Sequence, residues 1–142
     1  MNGKVIGWTL LVLIMSSFKV QNKTTTVYLI GDSTMSIKET KAYPETGWGM
    51  PFVYFFDESV TVDNRAKNGR STKSFLAENL WQPVTGQLKE GDYVFIQFGH
   101  NDESVEKKER YSTPEQFTAN LELYINQTKE KKAIPVLFFK KL

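Results

Sequence analysis

The chain predicts an α/β domain built on a parallel sheet, and three observations carry that expectation. Short apolar runs recur at Thr26 to Ile30, Ser59 to Val62, Tyr93 to Phe98 and Ile134 to Phe139. The first and third are apolar on nearly every position, as strands covered on both faces are. Segments with helical signals lie between the runs. The order strand, helix, strand, helix, strand, helix, strand is that of crossovers building a parallel sheet. Finally, each of the first three runs is followed by a glycine-bearing polar segment, on the carboxyl edge where open α/β sheets bind ligands.

Composition bounds the function. With 142 residues, a formal charge of +2, 40% hydrophobic and 13% aromatic residues, the chain suits one globular domain rather than a disordered segment. The positive excess includes Lys4 and Lys140-Lys141. It forms no basic stripe interleaved with aromatics and gives no reason to expect a nucleic acid partner. The absence of cysteine removes disulfides, thiolate nucleophiles and zinc-thiolate sites together. His100 is the single histidine.

At the amino end, Lys4 precedes an apolar run from Val5 to Met15, followed by Ser16 and Ser17. That arrangement resembles the charged, apolar and small-residue sections of a secretory signal. The run is too short to cross a bilayer comfortably, so no stable membrane span is expected. No Ala-x-Ala follows it, and an uncleaved anchor or a buried strand is the other reading. The expectation is a signal at 1–17, one domain at 18–142, and a secreted or periplasmic protein.

Thr26 to Ile30 reads as the first strand, stopped by Gly31. Asp32, Ser33 and Thr34 are all good helix N-caps, so a capping role competes with a functional one there. A polar stretch from Ser36 to Thr46 follows. Trp48-Gly49-Met50-Pro51 then opens a helix, with Pro suited to the first turn. Trp48, Phe52, Phe55 and Phe56 fall at helical spacing and read as a core-facing stripe. After the strand Ser59 to Val62 comes Gly69, which can take positive φ and bring its amide close to a ligand; from spacing alone an ordinary turn glycine is the favoured reading. Ser71 or Thr72 caps a helix running to about Leu80, with Leu76 and Leu80 inward and Pro83 closing the segment.

The strand Tyr93 to Phe98 ends at Gly99-His100-Asn101-Asp102. Glu103 to Arg110 reads as a solvated loop. Thr113-Pro114-Glu115-Gln116 starts a helix with capping-box spacing. Phe117, Leu121 and Ile125 line its expected buried face, and Lys129, Lys131 and Lys132 lie near its negative end. Ser33, Gly69 and Asn101 each follow a different strand, so the sheet should bring them to one edge. Together they offer a hydroxyl, a backbone amide and a side-chain amide able to hold an oxyanion.

These residues also carry a family resemblance. Gly31-Asp32-Ser33-Thr34, the segment Ala66 to Phe75, and Phe98-Gly99-His100-Asn101-Asp102 resemble the first three conserved blocks of the SGNH/GDSL hydrolases. With Gly47-Trp48-Gly49 between the first two, the wording is most similar to the rhamnogalacturonan acetylesterase branch. The resemblance implies a three-layer α/β/α flavodoxin-like domain in which Ser33 is the nucleophile. The Ser33 amide, the Gly69 amide and the Asn101 side chain would form the oxyanion hole. The implied substrate is an acetylated polysaccharide or another small ester, with no cofactor or metal. The Gly-x-Ser-x-Gly elbow of the α/β-hydrolases is a different motif, since position 35 is Met.

The family draws its general base from an Asp-x-x-His near the carboxyl end, and this sequence holds no such motif. His100 neighbours the oxyanion asparagine in the third block and is not the family's base. The expectation is therefore a C-terminally truncated SGNH domain with about four of five strands, and β-edge exposure at Ile134 to Phe139. A serine hydroxyl without a base is a weak nucleophile, so weak or absent activity is expected. The alternative is a non-catalytic chain that at most binds acetylated glycan.

Overall fold

The computed structural model describes residues 24–139; the expected signal at 1–17 lies outside them. The strands β1 (Thr25–Gly31), β2 (Val60–Asn64), β3 (Tyr93–Gln97) and β4 (Ile134–Leu137) form one sheet in the order β2-β1-β3-β4. Every pairing is parallel. The α/β class and the four expected strands are therefore present. β4 lies at one edge, as expected, and among the described residues pairs only with β3.

The strand period of two divides the apolar residues into two clusters. Tyr28, Ile30, Val94 and Ile96 point to one face; Val27, Leu29, Tyr93 and Phe95 point to the other. On the first face pack Phe75 of α2 (Thr72–Ala77), Val84 of α3 (Gln82–Gln87) and Tyr124 of α4 (Pro114–Glu130). On the second pack Trp48 and Phe52 at α1 (Gly49–Phe52). Helices on both faces make three layers. The buried Asp92 carboxylate joins the strand starts, accepting from the amides of Thr26 (2.9 Å) and Lys89 (2.8 Å).

The helices depart from expectation in three places. α1 is only four residues long and tightens into a 3-10 turn at Val53–Phe55. The tighter pitch takes the expected stripe off one face: Trp48 and Phe52 stay half-buried, whereas Phe55 is 79% exposed. The second helix stops at Ala77, because Asn79 adopts φ 57° and ends the helical path. Pro83 does not close that segment but occupies the first turn of the separate helix α3, where its missing N–H is harmless.

α4 forms where expected, with Thr113 and Gln116 closing a reciprocal capping box. Tyr124 is fully enclosed, as is Thr128, while Phe117, Leu121 and Ile125 are half-buried. The Tyr124 side chain is the large one that fills the core. Phe117, Leu121, Tyr124 and Thr128 follow the 3.6-residue period, which accommodates a tyrosine the sequence left off the buried face. Its ring stacks 5.7 Å from Phe98 and meets Trp81 edge-on at 5.1 Å. Its hydroxyl donates to the Thr72 carbonyl at 2.8 Å.

Gly47 and Gly49 explain how the short helix packs against the turn after β1. A side chain at Gly47 would meet the Ser36 backbone, and one at Gly49 would meet Asn64 Nδ2 and the Met35 carbonyl. Gly49→Ala should therefore destabilise the fold by about 1–3 kcal/mol through overpacking. By contrast, Gly86 in α3 has open space around it, and Gly86→Ala should stabilise by roughly 0.5–1 kcal/mol. Urea midpoints of the two variants should move in opposite directions; a Gly49→Ala midpoint at or above wild type would show that the close approach carries no strain.

Candidate active site

The turn leaving β1 is built around Asp32. Its Oδ1 accepts from the Thr34 amide (2.9 Å) and hydroxyl (2.8 Å), and its carbonyl accepts from the Ser36 amide (3.1 Å). No helix follows directly, so Asp32 organises an Asx-type turn rather than capping a helix. Ser33 lies in this turn, half-buried, and its hydroxyl makes no hydrogen bond among the described residues. From behind, the Trp48 amide bonds the Thr34 carbonyl (2.9 Å), while the Gly49 amide and Asn64 Nδ2 bond the Met35 carbonyl (3.2 and 2.9 Å).

The second segment runs alongside the first. Past the end of β2, the Arg65 amide donates to the Leu29 carbonyl (2.8 Å) and the Lys67 amide to the Gly31 carbonyl (3.0 Å). Those bonds carry Asn68 and Gly69 up beside Ser33. Gly69 has φ 74°, a left-handed conformation that settles its competing turn reading in favour of a demanding one. The Arg110 guanidinium lies 3.1 Å from where a Cβ would sit, but a flexible side chain can give way there, so it is the positive φ that disfavours a larger residue. Although Glu103 to Arg110 is largely exposed as expected, Arg110 turns inward.

The third segment is tied to the second. Asn101 is buried, and one N–H of its Nδ2 donates to the Arg70 carbonyl at 3.0 Å, leaving the other free. The buried Asp102 carboxylate accepts from the Thr72 amide (3.1 Å) and the Thr72 hydroxyl. Burial pushes the Asp102 pKa above the usual carboxylate range, outweighing the Thr72 hydrogen bonds that pull it down. Asn120 and Tyr124 of α4 complete the shell around Thr72 (3.0 and 2.8 Å).

The structure thus joins the segments bearing Ser33, Gly69 and Asn101 by direct hydrogen bonds along one edge of the sheet. A groove of about 610 Å³ adjoins them, lined by Asp32, Thr34, Gln97, His100 and Tyr111 among others; Ser33, Gly69 and Asn101 lie outside its lining. His100 is exposed and makes no hydrogen bond with Ser33 among the described residues. Neither a cluster of metal-ligating side chains nor a helix able to cross a membrane occurs among the described residues.

Sequence reasoning missed Lys38, which is buried despite lying in a polar loop. Its Nζ donates to the Ser33 carbonyl (2.5 Å) and to Asn68 Oδ1 (2.9 Å), and pairs with Glu45 (2.8 Å). Nothing in the local spacing distinguishes it from a solvated lysine.

No family model matches the chain. It is 44% identical over 110 residues to the rhamnogalacturonan acetylesterase RhgT of Bacillus subtilis, covering 78% of this chain and 46% of that protein. The probable rhamnogalacturonan acetylesterase YesY of the same organism is 38% identical over 112 residues, 78% of this chain and 51% of its own. The chain therefore spans about half the length of these curated relatives. Among solved structures, Bacillus subtilis YxiM superposes with a TM-score of 0.72 at 27% identity, covering 80% of this chain and 32% of YxiM.

The Asp102 environment makes a pH-dependent prediction. Because its folded pKa stands above the unfolded one, the folded state holds the proton more tightly. Stability tied to that proton is complete below the unfolded pKa and is lost as pH rises through the folded value. Wild type should lose stability relative to Asp102→Asn as pH rises from the ordinary carboxylate pKa through the raised folded one, read as a urea-midpoint difference that moves against wild type with increasing pH. A difference that stays flat would mean that Asp102 titrates normally.

Proposed function

The chain belongs to the SGNH/GDSL hydrolases, on the rhamnogalacturonan acetylesterase branch, and from that premise we propose that it is a serine ester hydrolase removing acetyl groups from pectic polysaccharide. The observation that carries this reading is the hydrogen-bonded assembly of the Ser33, Gly69 and Asn101 segments on one sheet edge. Ser33 Oγ attacks the acetyl carbonyl, and the carbonyl oxygen takes up negative charge. The amides of Ser33 and Gly69 and the free N–H of Asn101 are the donors assigned to that oxygen. Preorganised donors of this kind are worth most because they need not reorient during the reaction. Collapse of the tetrahedral adduct breaks the ester C–O bond, and the departing sugar oxygen takes up, through solvent water, the proton that Ser33 gives up; the acetyl-Ser33 left behind is hydrolysed by a second water to acetate, which restores the Ser33 hydroxyl. No cofactor enters these steps.

The Ser33 proton needs an acceptor, and His100 is the one imidazole in the sequence. Its exposure and lack of contact with Ser33 assign it to the groove wall rather than to the base. Solvent water is then the proton acceptor, and because a serine hydroxyl without a paired base is a weak nucleophile, Ser33-dependent hydrolysis by this chain should be slow. The same observation favours a second reading, a non-catalytic chain that binds acetylated glycan through the groove. The charged and apolar sections at 1–17 support export, and we assign either activity to the secreted or periplasmic space.

Hydrolysis of 4-nitrophenyl acetate by the 142-residue chain separates the readings. Wild type should exceed Ser33→Ala, and Asn101→Ala should lower the Ser33-dependent rate by about 10²–10³. Equal rates for wild type and Ser33→Ala would leave the binding reading.

A further inference from the structure

We propose that Lys38 is a positioning residue, setting the placement of the Ser33 hydroxyl relative to the Gly69 amide; the inference rests on the esterase reading and deepens it. Its side chain is 1% exposed, yet it comes from a loop whose neighbours Glu39, Thr40 and Lys41 are all exposed. All three of its donors are used. One goes to the Ser33 carbonyl at 2.5 Å, one to Asn68 Oδ1 at 2.9 Å, and one to Glu45 Oε1 at 2.8 Å.

The first two bonds matter together. Ser33 bears the hydroxyl, and Asn68 immediately precedes Gly69. One ammonium therefore spans the nucleophile turn and the oxyanion-donor turn, which the sheet itself joins only as far as Lys67 to Gly31. Ser36 Oγ donates to the same Asn68 Oδ1, so Asn68 accepts two bonds from the segment that follows Ser33. Anchoring the peptide carbonyl of Ser33 limits rotation of the residue bearing the hydroxyl. Fixing Asn68 limits rotation of the peptide leading to the Gly69 amide. A fixed pair is what attack requires, since a misplacement of about 1 Å can lower a rate roughly 10²-fold.

The charge is tolerated there for a physical reason. A buried ammonium needs full hydrogen bonding and a counter-ion, and Glu45 supplies the latter while its own side chain stays 55% exposed. Removing the ammonium consequently strands no buried carboxylate. Lys38→Met keeps the apolar stem and should fold.

The test compares wild type, Lys38→Met, Asn68→Ala and the double variant. The rate of acetyl-Ser33 formation from 4-nitrophenyl acetate is followed by intact mass and nitrophenolate release. Each single variant should slow acylation at saturating ester by about tenfold to hundredfold, with half-saturation unchanged. The double variant should be no slower than the worse single one, because both changes cut the same bridge. Amide NMR spectra should show Ser33 and Gly69 shifting in Lys38→Met while Phe75, Val94 and Ile96 hold their positions. Multiplying losses, a change confined to half-saturation, or unmoved Ser33 and Gly69 resonances would each overturn the positioning role. If wild type and Ser33→Ala are equally unreactive, the esterase reading fails, and the two amide resonances decide the Lys38 inference by themselves. Should Lys38→Met not fold, Asn68→Ala, altered at an exposed residue, carries both readouts.

Discussion

The central constraint is that β1 is hydrogen-bonded in parallel on both edges and buried on both faces. Val27 to Leu29 face β2 across one edge and β3 across the other, with Leu29 and Ile30 fully enclosed. Such a strand has no freedom to slip, because a shift of one residue would exchange its two apolar faces. Everything at its carboxyl end inherits that fixity. Gly31 adds to it, since a side chain there would meet the Gln97 carbonyl of β3 at 2.5 Å.

From that anchor the site is assembled by backbone donors and acceptors with few long side chains. Asp32 folds the turn on itself, Gly47 and Gly49 allow α1 to press against it, and Lys67 continues the ladder past β2. On the far side, Asp102 and Tyr124 hold Thr72 from two directions, so the first turn of α2 is fixed to the loop after β3. The outcome is a site whose polar groups answer to the sheet. One long side chain, that of Lys38, bridges the two turns that the sheet leaves incompletely joined.

Much of this was legible in the sequence, and the reasons differ by element. Consecutive apolar residues at Thr26 to Ile30 and Tyr93 to Phe98 announced doubly covered strands because a parallel sheet leaves no polar face to alternate with. Thr113 to Gln116 announced α4 because a capping box is a local interaction. The losses come from tertiary overrides. Pro83 reads equally as a stop or a start, and only the break at Asn79 chooses the start. Phe55 was expected inside, but the tightened turn after α1 carries it out. That Ser33, Gly69 and Asn101 lie on one edge of the sheet was expected from topology, whereas the contacts of Lys38 and Asp102 depend on distances between segments that spacing does not encode.

The account stands or falls on whether these three segments surround a single oxygen atom. The most direct measurement is a crystal structure of the chain after reaction with an activated alkylphosphonate ester, whose tetrahedral phosphorus mimics the acyl adduct. Phosphorus bonded to Ser33 Oγ, with a phosphoryl oxygen about 2.7–3.1 Å from the Gly69 amide and Asn101 Nδ2, is the predicted result. An adduct on Ser33 whose oxygen meets neither donor, or phosphorus on another residue, would contradict it.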